Sequence, residues 1–183
     1  MAASNYLGDG TVDKTTSEQI YTHNGALPIH KSVGSFEEEI ISLSKFIKEQ
    51  SIELRLPIGS AAVLCPTNKV GHDISDGLKE RGIKAEFMKS RDVEVTDNRV
   101  KVLPLRAAKG LEYPIVAIAG LRALKPSRFL NYSSKQKAER LNLERRTNFV
   151  GMTRAMRSMM ICVPTNSKEE LFSNFDGKFW DMR

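Results

Sequence analysis

Between Phe36 and Ile47 the apolar residues Phe36, Ile40, Leu43 and Ile47 recur at spacings of four, three and four. That period puts them on one face of a helix, and Ser35 with Glu38 forms the Ser-x-x-Glu signature of its start, so an amphipathic helix is predicted to about Gln50. Ala61 to Cys65 is a short apolar run closed by Pro66, which marks a strand, and Val70, Ile74 and Leu78 then return to helical spacing until Gly82. Ile83 to Met88 and Arg99 to Leu105 alternate as strands do, while Ile115 to Ala119 is unbroken in the manner of a strand buried on both faces. Ser133 with Gln136 opens a second helix, predicted to about Arg157, with Leu141, Phe149, Met152 and Met156 toward a core. Met159 to Val163 reads as a strand closed by Pro164, and Lys168 to Phe172 as a short terminal helix. Strands alternating with helices predict an α/β fold with a mostly parallel sheet and helices on both faces. Residues 1 to 28 are rich in Gly, Ser, Thr and Asn without periodicity and are expected to be a loose lead-in, partly packed or disordered.

Composition narrows this picture only a little. A chain of 183 residues with 40% hydrophobic and 27% charged side chains holds about one globular domain. The longest apolar run, Tyr113 to Leu121, is broken by Pro114 and Gly120 and falls far short of the roughly 20 residues of a membrane helix. Residues 1 to 10 lack a secretory pattern, so a cytoplasmic protein without membrane association is expected. Cys65 and Cys162 each end an apolar stretch and are expected as reduced core thiols. His23, His30 and His72 share no ligand spacing with each other or with those cysteines, so no metal site is assigned.

Charge changes the picture more. The formal net charge is +6, yet residues 122 to 157 alone carry ten basic and two acidic side chains. Such a block suits a polyanion, nucleic acid or nucleotide phosphate, although a solvated helix face can carry the same residues. No Gly-x-x-x-x-Gly-Lys-Ser/Thr loop is present, and no apolar strand ends in Asp-Glu to hold magnesium. The chain alone therefore lacks the usual means of gripping ATP.

Two stretches carry more specific information. Ala108-Lys109-Gly110-Leu111-Glu112-Tyr113-Pro114-Ile115-Val116 resembles motif V of superfamily 1 helicases of the UvrD, Rep and PcrA type, and residues 144 to 155, Glu-Arg-Arg-Thr-Asn-Phe-Val-Gly-Met-Thr-Arg-Ala, resemble their motif VI. Ala61 to Asn68, leading to Leu78 and Gly82-Ile83, is similar to the strand and helix that open the same domain. The resemblance covers about residues 35 to 165 and implies the second, C-terminal RecA-like domain of a P-loop NTPase motor, the half without the phosphate loop. It implies a division into an irregular lead-in over 1–34, the RecA-like domain over 35–165 and a C-terminal extension over 166–183.

The family pattern implies roles residue by residue. Arg154 takes the place of the arginine finger, whose guanidinium stabilises charge spreading over the γ-phosphate; the alternative is a surface arginine of a basic helix. Gly110 and Glu112, with Arg154, fall on ATP-facing positions, a carboxylate being able to accept both ribose hydroxyls. Thr67 and Asn68 match positions that touch the DNA strand, and they also suit a helix cap. Lys109 is assigned with them to the strand, with a phosphate or interdomain contact as its role, or is a solvated loop lysine. Arg145 or Arg146 is expected to pair with a carboxylate such as Glu144 or an acid of a partner domain.

Relatives carry Thr-x-His before the Lys-Gly-Leu-Glu stretch, where this chain has Pro104 and Arg106. Arg106 retains only a charge-based DNA contact. About twenty residues stand where relatives insert an accessory subdomain, and the arginine-bearing helix that precedes the domain in relatives is not recognisable in residues 1 to 34. The resemblance implies the C-terminal motor domain of an ATP-dependent DNA helicase, an ATP hydrolase. It would use ATP and Mg2+ shared with an N-terminal RecA-like domain and act on single-stranded DNA, and it would be inactive in isolation. The rival expectation is a stand-alone nucleic-acid or protein adaptor with the same fold and no ATPase activity.

Overall fold

A computed structural model describes residues 2–7, 25–89, 98–124, 126–165, 167 and 170–183. Its centre is the strand β2 (Ala61–Cys65), buried at every position. A strand with no solvent-facing side must sit inside a sheet covered on both faces. β2 lies between β4 (Val100–Pro104) and β5 (Tyr113–Ile118), in register Val63 with Val102 and Ala117. With β1 (Ile29–Val33), β3 (Ala85–Phe87), β6 (Ala155–Pro164) and β7 (Asp181–Met182), the sheet has seven strands in the order β3-β4-β2-β5-β6-β1-β7. All of its pairings are parallel.

Helices cover both faces. α2 (Phe36–Glu53) and α3 (Asn68–Glu80) press Ile40, Leu43, Ile47, Ile74 and Leu78 against Val63, Val102 and Ile115. On the other face, α1 (Ala2–Leu7) and α4 (Ser134–Met152) bring Tyr6, Leu141 and Met152 onto Leu64, Leu103, Val116 and Ile161. The capping box of α4 is complete, Ser133 and Gln136 each accepting a backbone N–H of the other. At α2, the Ser35 hydroxyl accepts from the Glu38 N–H, but the Glu38 carboxylate reaches one residue further back and accepts from Gly34.

Glu39 ties α2 to the end of β5. Its buried carboxylate accepts from the Gly120 N–H at 2.7 Å and from Arg122 Nε at 3.2 Å. Burial raises its pKa, partly offset by these two donors. Gly120 sits at φ +79°, a left-handed turn in which an added Cβ would collide with Val70.

Three expectations change. α4 ends at Met152 rather than near Arg157, and Met156 is 60% exposed at the start of β6 instead of facing the core. The cause is pairing with β5, which draws Ala155 into the ladder opposite Tyr113 and extends β6 four residues ahead of its apolar run. Within the lead-in, Ile29–Val33 is a sheet strand held between β6 and β7, and Ala2–Leu7 is helical, anchored by the buried Tyr6 ring. Lys168 and Glu169 of the expected terminal helix lie outside the described residues, and Glu170–Phe172 is a single 3-10 turn.

Candidate functional site

The two sequence motifs meet where β5 and β6 begin. The backbone N–H of Tyr113 donates to the Arg154 carbonyl at 3.0 Å, and Tyr113 is in register with Ala155. Glu112 and Arg154 therefore enter adjacent strands side by side, on backbones roughly 5 Å apart. Gly110 precedes them in an exposed turn at φ +83°, with open space where a Cβ would stand. The turn conformation requires glycine there, and that open space is solvent-facing. Lys109 and Glu112 are exposed and make no hydrogen bond or ion pair among the described residues.

Arg154 is half-buried and its guanidinium is held at the end of α4. Nε donates to the Val150 carbonyl at 3.0 Å and Nη2 to the Thr153 hydroxyl at 3.1 Å. A cation on the last-turn carbonyls is favourable, because they carry the negative end of the helix dipole. These bonds occupy one side of the guanidinium fork. Tyr113 is buried beside this edge, its hydroxyl has no partner among the described residues, and burial raises its pKa.

Thr67, Asn68 and Arg106 gather at the opposite end of the sheet, where β2 and β4 finish. They line a groove of about 390 Å³ together with Arg140, Leu143, Glu144, Thr147 and Asn148 of α4 and with Leu124. Thr67 caps α3, its hydroxyl accepting from the Val70 N–H at 3.3 Å. Capping fixes the hydroxyl but leaves both Thr67 and Asn68 exposed to the groove. Arg106 stands exposed on the 3-10 turn Leu105–Ala108. Lys109 does not line this groove and lies next to Gly110 instead.

Several other charges of the basic segment are already engaged. Glu144 takes Arg128 at 3.0 Å and Arg140 at 3.5 Å, rather than Arg145 or Arg146. Arg145 donates to the Glu170 carbonyl at 2.5 Å, while Arg122 is bound to Glu39. Arg146 is exposed. Two residues of this region carry no signal that sequence reasoning could use. Tyr6 accepts a 3.0 Å hydrogen bond from Asn148 across most of the chain, and Asn5 accepts one from the Asp176 N–H. Arg140 was legible, being placed at i,i+4 from Glu144.

Residues 87–166 match the UvrD-like helicase C-terminal domain. The ATP-dependent DNA helicase PcrA of Leuconostoc citreum is 39% identical over 70 residues, which are 38% of this chain and 9% of that protein. The C-terminal domain of a possible DNA helicase from Lactobacillus plantarum WCFS1 superposes with a TM-score of 0.69 at 17% identity, covering 100% of this chain and 95% of that one. The C-terminal domain of the DEAD-box protein Dbp5 gives 0.51 at 13% identity, over 86% of this chain and 88% of that one. These two likenesses show the fold, a RecA-like domain. Among the described residues no helix is long and apolar enough to cross a membrane.

Proposed function

We propose that this chain, whose residues 87–166 match the UvrD-like helicase C-terminal domain, serves as the second half of an ATP-dependent DNA helicase motor. One observation carries this reading: the Tyr113 to Arg154 backbone bond, which sets a carboxylate and a guanidinium from distant motifs at one end of one sheet. The donor set suits a nucleotide. Glu112 can accept ribose hydroxyls, the Gly110 turn admits a ligand close to the backbone, and Arg154 and Lys109 offer positive charge to phosphate. Mg2+ is assigned to the N-terminal domain, since no apolar strand of this sequence ends in the Asp-Glu pair that would hold it.

In this reading Arg154 leaves the Val150 carbonyl and Thr153 hydroxyl when the N-terminal domain closes, and its guanidinium meets the γ-phosphate oxygens. Charge placed there as the phosphoryl group passes to water is worth about 10³ to 10⁵ in rate. The groove of Thr67, Asn68 and Arg106 holds the DNA strand. The six residues of β5 separate the two ends of the sheet by roughly 20 Å. A closure felt at the nucleotide end is thereby transmitted to the strand end through the buried central strands and through α4, which touches both. Hydrolysis is measured for the 183-residue chain alone and joined to its N-terminal half. The first is expected to show no turnover and the second DNA-stimulated turnover; turnover by the chain alone overturns the division of labour.

A further inference from the structure

Beyond the groove, a ladder of contacts leads to an exposed aromatic ring. Glu144, on the groove wall, holds the Arg128 guanidinium at 3.0 Å. That guanidinium lies 4.3 Å from the centroid of the Phe129 ring, and Phe129 meets Tyr132 edge-on at 6.0 Å. The Tyr132 N–H donates to the Phe129 carbonyl at 3.1 Å, so the backbone carrying the ring is fixed by a turn. Tyr132 is nevertheless 46% exposed, beside Leu130 at 81%.

Two lysines follow immediately. Lys135 and Lys137 occupy the first turn of α4, are exposed, and make no ion pair among the described residues. Positive charge at a helix start is opposed by the helix dipole, so local stability does not account for their placement. An aromatic face held rigidly, next to unpaired positive charge and continuous with a basic groove, is what an unpaired nucleic-acid strand requires: a surface for a base and cations for its phosphates.

We propose that Tyr132 is a base-stacking platform for single-stranded nucleic acid, with Lys135 and Lys137 neutralising the adjoining phosphates, so that the strand path runs from the Thr67 and Arg106 groove onto the start of α4. This rests on the strand-binding reading of the groove and adds a contact that none of the motif residues supplies. Charge complementarity selects this occupant, because the flanking side chains are basic and a strand carries a phosphate at every step.

The test is binding of a fluorescent oligothymidylate to the 183-residue chain across a salt series, for the wild type, Tyr132→Ala, Tyr132→Phe and Arg106→Ala. Tyr132→Ala is expected to weaken binding by roughly 5- to 150-fold with an unchanged salt slope, since stacking is not electrostatic. Tyr132→Phe is expected to bind like the wild type, which separates stacking from any hydroxyl contact. Photocrosslinking with 5-iodouracil is expected to mark Tyr132 in the wild type, a readout independent of how well the alanine variant folds. If Tyr132→Ala binds like the wild type while Arg106→Ala is weakened, the groove reading stands and the stacking platform is overturned. The platform also falls if Tyr132→Ala loses affinity for the N-terminal domain but not for the oligonucleotide. A wild-type chain with no salt-sensitive binding at low salt overturns the groove reading and the platform together.

Discussion

The side-chain amide of Asn148 donates to the Tyr6 hydroxyl at 3.0 Å, joining the N-terminal helix to α4, whose C-terminal end holds Arg154. Both groups are buried, and burial pushes the Tyr6 pKa up to about 12, so the phenol is neutral through the physiological range. Tyr6→Phe keeps the ring packing against Phe175 but strands the Asn148 amide. An orphaned buried donor costs about 1 to 3 kcal/mol. Chemical denaturation is expected to show a loss of that size, and Tyr6→Phe with Asn148→Leu, which removes both polar partners, is expected to recover part of it.

Two left-handed glycines separate strain from crowding. Gly110 and Gly120 have φ of +83° and +79°, but only Gly120 has Val70 and Pro66 where a Cβ would go. Gly110→Ala is expected to cost about 1 to 2 kcal/mol from backbone strain alone. Gly120→Ala adds overpacking and is expected to cost about 2 to 5 kcal/mol. Urea unfolding of the two variants side by side measures the difference.

Thr67 serves two ends that can be told apart. Its hydroxyl accepts the Val70 N–H, so Thr67→Ala is expected to destabilise the fold by about 1 kcal/mol, a fall in Tm of roughly 2 to 4 °C. Thr67→Ser keeps the cap and is expected to leave Tm nearly unchanged. Oligonucleotide affinity measured on the same pair then isolates any strand contact, because a cap alone predicts a loss of stability without a loss of affinity in the folded protein.

His30 gives the fold a pH dependence of definite sign. It is buried on β1 with its ring 4.6 Å from that of Phe175, and burial lowers its pKa below the ordinary 6.5. The unfolded chain therefore binds the proton more readily than the folded one. The stability tied to neutral His30 is complete above about pH 6.5 and is lost as pH falls through the lowered folded value. Glu39, with a raised pKa, contributes in the opposite direction as a carboxylate, so the comparison must be with His30→Gln. Melting temperature between about pH 7.5 and 5 is expected to fall more steeply for the wild type than for that variant.

Much of this was legible in local patterns. β2, α2 and α3 follow directly from an unbroken apolar run and from four-three-four spacing, and Ser133 with Gln136 announced the start of α4. The end of α4 was not, because Ala155 to Ser158 carries no strand alternation and becomes strand only through pairing with Tyr113 and Ile115. β1 reads Ile-His-Lys-Ser-Val, too polar to signal a strand, and gains its place from β6 on one side and β7 on the other. Glu39 and Lys101 look like surface charges in sequence. Both are buried because each finds a partner on another element, Glu39 at Gly120 and Lys101 at the Gly59 carbonyl, 2.6 Å away. For the site, the motif residues named Arg154, Glu112 and Gly110, and only the register of β5 with β6 showed that they share one end of the sheet. Lys109 was grouped with the strand contacts through the motif resemblance and does not line their groove.

The most direct measurement is single-turnover ATP hydrolysis by this chain joined to its N-terminal RecA-like half, comparing Arg154 with Arg154→Ala and Arg154→Lys. If the guanidinium crosses to the γ-phosphate, Arg154→Ala lowers the rate by about 10³ to 10⁵ while nucleotide affinity changes far less, and lysine restores little because it lacks the planar fork. A rate for Arg154→Ala within a few-fold of the parent would contradict the account, leaving Arg154 as no more than the clamp on Val150 and Thr153 at the end of α4.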